Sequence, residues 1–157
     1  MPIDVPESII ALQDSALRLL ASALLGGLPG LDRELKSKPL GLRTNILVAV
    51  GACSFGLIVM ELVALFSRAG DLGHVDPARV IEGVVGGIGF LGTGAIIQSR
   101  GSIVGATTGA TIWVVGAIGL ACGFGLYLLA ALVSVITFVV LAILGRIEDW
   151  AQRDGGG

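Results

Sequence analysis

The sequence predicts an all-α integral membrane protein, a compact bundle of about five transmembrane helices packed closely through glycine. Three observations carry this. The 157-residue chain is 54% hydrophobic and 14% charged, against about 25% charged in soluble domains, and its mean hydropathy is +0.93. Five segments reach or approach the roughly 20 apolar residues that a spanning helix needs. Glycine recurs inside those segments, six times in the twelve residues from Gly83 to Gly94. Such use would weaken a water-soluble helix by about 1 kcal/mol per residue relative to alanine.

The elements follow in order. A first helix is expected over about 8–30, closed by the charged loop "DRELKSKPLGLR" with Pro39 as a stop. A second covers 42–66. The loop "SRAGDLGHVDPAR" ends in Asp76-Pro77, an N-cap followed by proline at the first helical position, and opens a third helix over 78–98. "SRGS" is a tight turn into a fourth helix over 103–121, and "CGFG" is another into a fifth over 124–145. Residues 1–150 form a single transmembrane domain, and 151–157 read as a flexible tail.

Lys and Arg set the orientation, because cytoplasmic loops are enriched in them. Arg33, Lys36, Lys38, Arg43, Arg100, Arg146 and Arg153 fall on one side, and only Arg68 and Arg79 on the other. The N-terminus is therefore expected outside and the C-terminus in the cytoplasm, with cytoplasmic loops at 31–42 and 99–102. The acidic N-terminus lacks the positive charge of a secretory signal, so the first apolar segment is expected to be retained.

Several classes are set aside. Net charge is -2, and no basic run offers the footprint nucleic acid needs. Cys53 and Cys122 lack metal-ligand spacing and read as small hydrophobes. No nucleophile lies near a histidine, and no phosphate loop is present, so an enzyme is not expected and no cofactor is implied beyond a candidate Mg2+. His74 reads as a solvated loop histidine, and Trp113 and Trp150 as packing and interface anchors.

The glycines have a physical explanation. Lipid tails are as apolar as leucine, so helices associate through close van der Waals contact, which small residues permit. Gly83, Gly86, Gly87 and Gly94 share one stripe, with Gly89 and Gly92 opposite. The third helix is thus expected at the centre of the bundle, gripped from two sides. Gly105 and Gly109 form a GxxxG pair at the start of the fourth. The alternative is a broken helix whose backbone lines a site.

Three polar groupings stand out. Asp14 and Arg18, spaced i,i+4 in favourable order, are either a functional intramembrane pair or a self-neutralising pair near the outer interface. Asp32, Arg33, Glu34, Arg43, Thr44, Asn45, Thr107 and Thr108 converge at the cytoplasmic helix ends. There, Asp32 and Glu34 are candidate ligands for a hydrated Mg2+; the alternatives are an ion-paired latch, with Arg33 or Arg43 satisfying the acids, or interfacial snorkelling. Glu61 and Glu82 sit toward the outer ends, within reach of interfacial water.

At these residues the chain resembles the MgtC/SapB family of bacterial inner-membrane proteins. The blocks "LLGGLPGLDRE", "GLRTNILVAVGA", "DPARV", "GGIGFLGTGAII" and "GATTGATIWVVGAIG" follow in the family's order over roughly 15–145. Carried over by position, Arg33, Glu34, Arg43, Asn45, Gly87, Gly89, Gly92, Gly94, Thr107, Thr108 and Trp113 look like its characteristic residues, with Asp32 replacing the commoner Glu. Glu82-Gly83 stands where the family usually has Ala-Gln, and the chain stops where many relatives continue into a cytosolic domain. The resemblance implies growth under magnesium limitation, survival of pathogens in host phagosomes, and modulation of membrane machines such as the ATP synthase or ion transporters. It leaves two molecular classes, a membrane regulator or a small conduit for Mg2+ or another ion or solute. The regulator is favoured, because the helix centres are almost wholly apolar. A homodimer is expected, two-fold association being the commonest arrangement.

Overall fold

The computed structural model describes residues 10–36, 38, 40–68, 76–99 and 102–154. The order is α1 (Leu12–Leu35), α2 (Leu42–Arg68), α3 (Pro77–Gly94), a hairpin of β1 (Ile97–Ser99) and β2 (Ser102–Val104), α4 (Ala106–Gly123) and α5 (Tyr127–Asp154). The five expected helices are present. Three of them, Leu42–Arg68, Ala106–Gly123 and Tyr127–Arg146, are long and apolar enough to cross a bilayer. The other two, α1 and α3, carry charges within their length. His74 and the rest of the 69–75 connection fall outside the described residues, as do Ser37 and Pro39.

The boundaries differ from expectation in three places. Helix α1 runs on to Leu35, so Asp32, Arg33 and Glu34 form its last turn rather than a loop. Helix α3 stops at Gly94, and the chain returns through an antiparallel hairpin in register Ile97↔Val104 and Ser99↔Ser102. Gly105, at φ 92, makes the corner, and a side chain there would collide with the Ala95 carbonyl. Helix α5 continues to Asp154, through most of the segment expected to be a flexible tail.

The expected punctuation is otherwise present. Asp76 accepts from the Ala78 amide at 2.9 Å with Pro77 at the first helical position, a cap of about 1 kcal/mol. The "CGFG" turn is a Schellman motif: Leu126 N–H bonds Ala121 O at 2.8 Å, Gly125 N–H bonds Cys122 O at 2.9 Å, and Gly125 takes φ 77.

The centre of the bundle is α4, not α3. Helix α4 packs against α1, α2, α3 and α5, and its run from Ile118 to Gly123 is wholly buried. It is apolar all round, which is the pattern of an enclosed helix, and its glycines admit neighbouring helices closely, three of them against backbone and Gly116 against the Ile88 side chain of α3. Gly109 faces the Gly92 carbonyl, Gly119 faces the Ala49 backbone, and an added Cβ at Gly123 would lie 2.6 Å from Cys53 O. Ala49 is wedged between Gly26 of α1 and Gly119 of α4, and this three-helix crossing sets the spacing of the bundle. Among the glycines of α3 the expected grip is confined to Gly92; around Gly83, Gly86, Gly87, Gly89 and Gly94 an added Cβ would meet nothing within 4 Å. A glycine stripe marks a helix that can be approached closely, but not which neighbour approaches it.

Candidate functional site

Two polar clusters lie at opposite ends of the bundle. At the end bearing the α4–α5 turn, Arg18 Nε and Nη2 donate to Asp14 Oδ2 at 3.0 and 2.7 Å. Arg18 Nη1 donates to Gly123 O at 2.7 Å. The pair is therefore formed, and it also caps α4: a guanidinium at a helix C-terminus meets carbonyls that lack intrahelical donors. Nearby, Glu61 Oε1 accepts from the Ile10 amide at 2.7 Å, tying the start of α1 to α2. Glu82 is exposed.

At the other end, the last turn of α1 addresses three neighbours with three successive side chains about 100° apart. Asp32 pairs with Lys36, Oδ1 to Nζ 2.9 Å, and Lys36 Nζ also donates to Leu141 O of α5 at 3.3 Å. Arg33, 2% exposed, donates through Nη2 to the Thr108 hydroxyl of α4. Glu34 is exposed, and its Oε2 accepts from the Leu42 amide at 3.1 Å. There a carboxylate satisfies a free donor and opposes the positive end of α2. The carboxylate occupies the space left open beside Gly41, and a side chain there would push it aside.

Asn45 is fully buried. Its Nδ2 donates to Leu40 O at 3.0 Å and Gly41 O at 2.8 Å, holding the turn in which Leu40 takes φ 55. Its Oδ1 is buried without a hydrogen-bond partner. Helix α1 can come this close only because residue 30 is glycine: an added Cβ would lie 2.9 Å from both Asn45 Cβ and Leu42 Cα.

The structure thus draws Asp32, Arg33, Glu34, Asn45 and Thr108 into contacts that fasten α1 to α5, α4 and α2 and fix the start of α2. Arg43 and Thr107 are exposed. Glu34 meets the α2 backbone, where a pairing with Arg43 was one of the alternatives. Asp32 and Glu34, two residues apart on a helix, face different neighbours, and among the described residues no group of three His, Cys, Asp or Glu converges. Thr108 also borders a cavity of about 450 Å3 between α2, α3, the hairpin and α4, with Leu40, Thr44 and Val104 among its lining.

Sequence reasoning missed Lys36, the Gly26-x-x-x-Gly30 spacing that seats α1 on α2, and one further bond. Pro29 lies inside α1 and has no N–H for the carbonyl four residues back. That carbonyl, Leu25 O, instead accepts from Ser134 of α5 at 2.6 Å. The signal available was a proline in an apolar helix and a lone serine in a facing one.

Comparison with known proteins places the chain. The MgtC family model matches residues 19–150. Protein MgtC of Brucella abortus is 41% identical over 133 residues, covering 85% of this chain and 52% of that protein. YhiD of Escherichia coli K12, described as a candidate magnesium transporter, is 39% identical over 133 residues, 83% of this chain and 60% of its own. Protein SapB of Bacillus subtilis is 37% identical over 115 residues, 73% and 49% of the two chains. The chain spans about half to three fifths of the length of these relatives. No solved structure matches it. With a family match across most of its length and a bundle of apolar helices to house it, this chain is a membrane protein belonging to the MgtC family.

Proposed function

We propose that the chain is an inner-membrane protein that supports growth under magnesium limitation by regulating other membrane proteins through helix contacts. Its N-terminus is outside, its C-terminus is cytoplasmic, and it self-associates as a homodimer. The magnesium link draws on the family and on the description of YhiD; in a pathogen the same activity would serve intracellular survival.

One observation carries the choice of regulator over conduit. At the 36–41 end Arg33, Glu34 and Lys36 are spent joining α1 to α4, α2 and α5, while cavities between helices among the described residues are lined by apolar side chains apart from Thr44 and Thr108. A pathway for a hydrated cation needs oxygen ligands or water along its length. The Arg33–Thr108 and Glu34–Leu42 bonds act in this reading as a latch that holds the inner mouth of the bundle in the shape a partner recognises.

The test pairs two measurements. Liposomes containing only the purified protein should pass Mg2+ no faster than protein-free liposomes, while cells lacking the protein should regain low-magnesium growth with the wild type and not with Thr108→Val. Mg2+ flux above background that is lost in Arg33→Ala would overturn the regulator in favour of a conduit. Normal growth with Thr108→Val, Arg33→Lys and Glu34→Gln alike would remove the latch.

A further inference from the structure

We infer that two copies of the chain pair in parallel through the outward side of α3, with Phe90 of each copy seated in the groove between α2 and α3 of the other. This names the surface for the self-association proposed above and rests on it. The groove holds about 690 Å3 and is lined by apolar residues of both helices, Leu47, Gly51 and Phe55 on α2 and Gly83, Gly87 and Leu91 on α3 among them. Phe90 is 80% exposed and stands on the same helix beside Leu91 and one turn from Gly87, both of which line the groove. Copies inserted in one orientation are related by a two-fold axis along the bilayer normal, so each residue has the same depth in both. A protruding ring and a recess at one depth are then self-complementary, as an isologous interface requires.

Charge complementarity favours a second copy as the occupant. Arg79 and Glu82 are exposed near the start of α3, within one turn of Gly83. Parallel pairing lets Arg79 of each copy meet Glu82 of the other, twice by symmetry, which acyl chains cannot offer. The rest of the molecule supports a helix as occupant. Gly26, Gly30, Gly109, Gly119 and Gly123 each receive a neighbouring helix, whereas an added Cβ at Gly83, Gly86 or Gly87 would meet nothing within 4 Å. Close backbone approach is the physical use of glycine in a bilayer, and within one copy these three make none.

Native mass spectrometry of the full chain released from nanodiscs tests this. An added Cβ at Gly87 meets nothing, so Gly87→Leu should keep the monomer's melting temperature while shifting the dimer constant at least tenfold toward monomer. Phe90→Ala should do the same, and Leu128→Ala, on the exposed face of α5, should remain dimeric. Arg79→Glu and Glu82→Arg should each weaken the dimer, and the two together should restore it. A wild-type dimer that survives both Gly87→Leu and Phe90→Ala, or that dissociates only with Leu128→Ala, overturns this interface and leaves self-association standing. Failure of the double charge reversal to restore the dimer overturns the Arg79–Glu82 pairing. A wild-type chain found only as monomer, with or without bound phospholipid, overturns both.

Discussion

Ser134 should stabilise the bundle by standing in for an amide that Pro29 lacks, and that substitution can be isolated by a thermodynamic cycle. Leu25 O lacks its i+4 amide donor because residue 29 is proline, and the Ser134 hydroxyl reaches it at 2.6 Å from α5, with Ser134 itself fully buried. Interhelical hydrogen bonds in membranes contribute about 0.6 kcal/mol on average and up to about 1.7. The upper end applies here, because removing the hydroxyl leaves a buried carbonyl unsatisfied. Ser134→Ala should therefore cost about 1.5 kcal/mol, roughly tenfold in the folding constant. In a Pro29→Ala background the new amide at 29 can bond Leu25 O along the helix, and the same Ser134→Ala change should cost less than about 0.5 kcal/mol. The difference, about 1 kcal/mol, is the coupling energy. Pro29→Ala alone is not diagnostic, since it gains helix propensity and loses a buried ring together. The assay is reversible unfolding in mixed detergent micelles, followed by circular dichroism for all four chains. An equal cost of Ser134→Ala in both backgrounds would refute the substitution and leave Ser134 as an ordinary interhelical contact.

Other expectations are sharper in sign than in size. Gly30→Ala should destabilise by about 1–3 kcal/mol through overpacking, because its Cβ would meet backbone and side chain of α2 at 2.9 Å. Gly86→Ala, with open space around it, should be neutral or stabilising by up to about 1 kcal/mol in the monomer; the same melting series reads both, and equal effects would contradict the placement of α3. Gly105→Ala should fail to fold or melt far lower, since it combines φ 92 with a collision at Ala95 O. Arg18→Lys keeps the charge but loses the fork that spans Asp14 and Gly123, so it should lower stability by about 1 kcal/mol; an unchanged melt would show that the cap on α4 contributes little. For orientation, an impermeant maleimide applied to intact cells should label Arg68→Cys and spare Lys38→Cys, with Cys53 and Cys122 buried and silent; the opposite pattern reverses the assigned sidedness.

The class of the protein is written in local quantities that need no tertiary knowledge. Composition, the number of helices, the Asp76-Pro77 cap and the Cys122–Gly125 turn depend on neighbours in sequence, and the five helices, the cap and the turn all appear in the structure. The convergence of Arg33, Asn45 and Thr108 on one end was also legible, because alternating helices return their ends to a common level. What each of those residues touches was not. Glu34 had two donors in reach, a guanidinium and the open end of α2, and its carboxylate takes the space beside Gly41, against the backbone amide. For Asp32 the sequence left a hydrated cation and an ion pair both open; Lys36 stands on the same helix face, one turn on, because α1 continues through the segment expected to be a loop. The glycines divide in the same way. Their number says that helices approach closely somewhere, a fact about side-chain size that any single segment carries. Which helix fills which gap depends on the rotation and depth of all five at once. Only the assembled bundle decides that α4 is enclosed and that α3 turns most of its glycines outward.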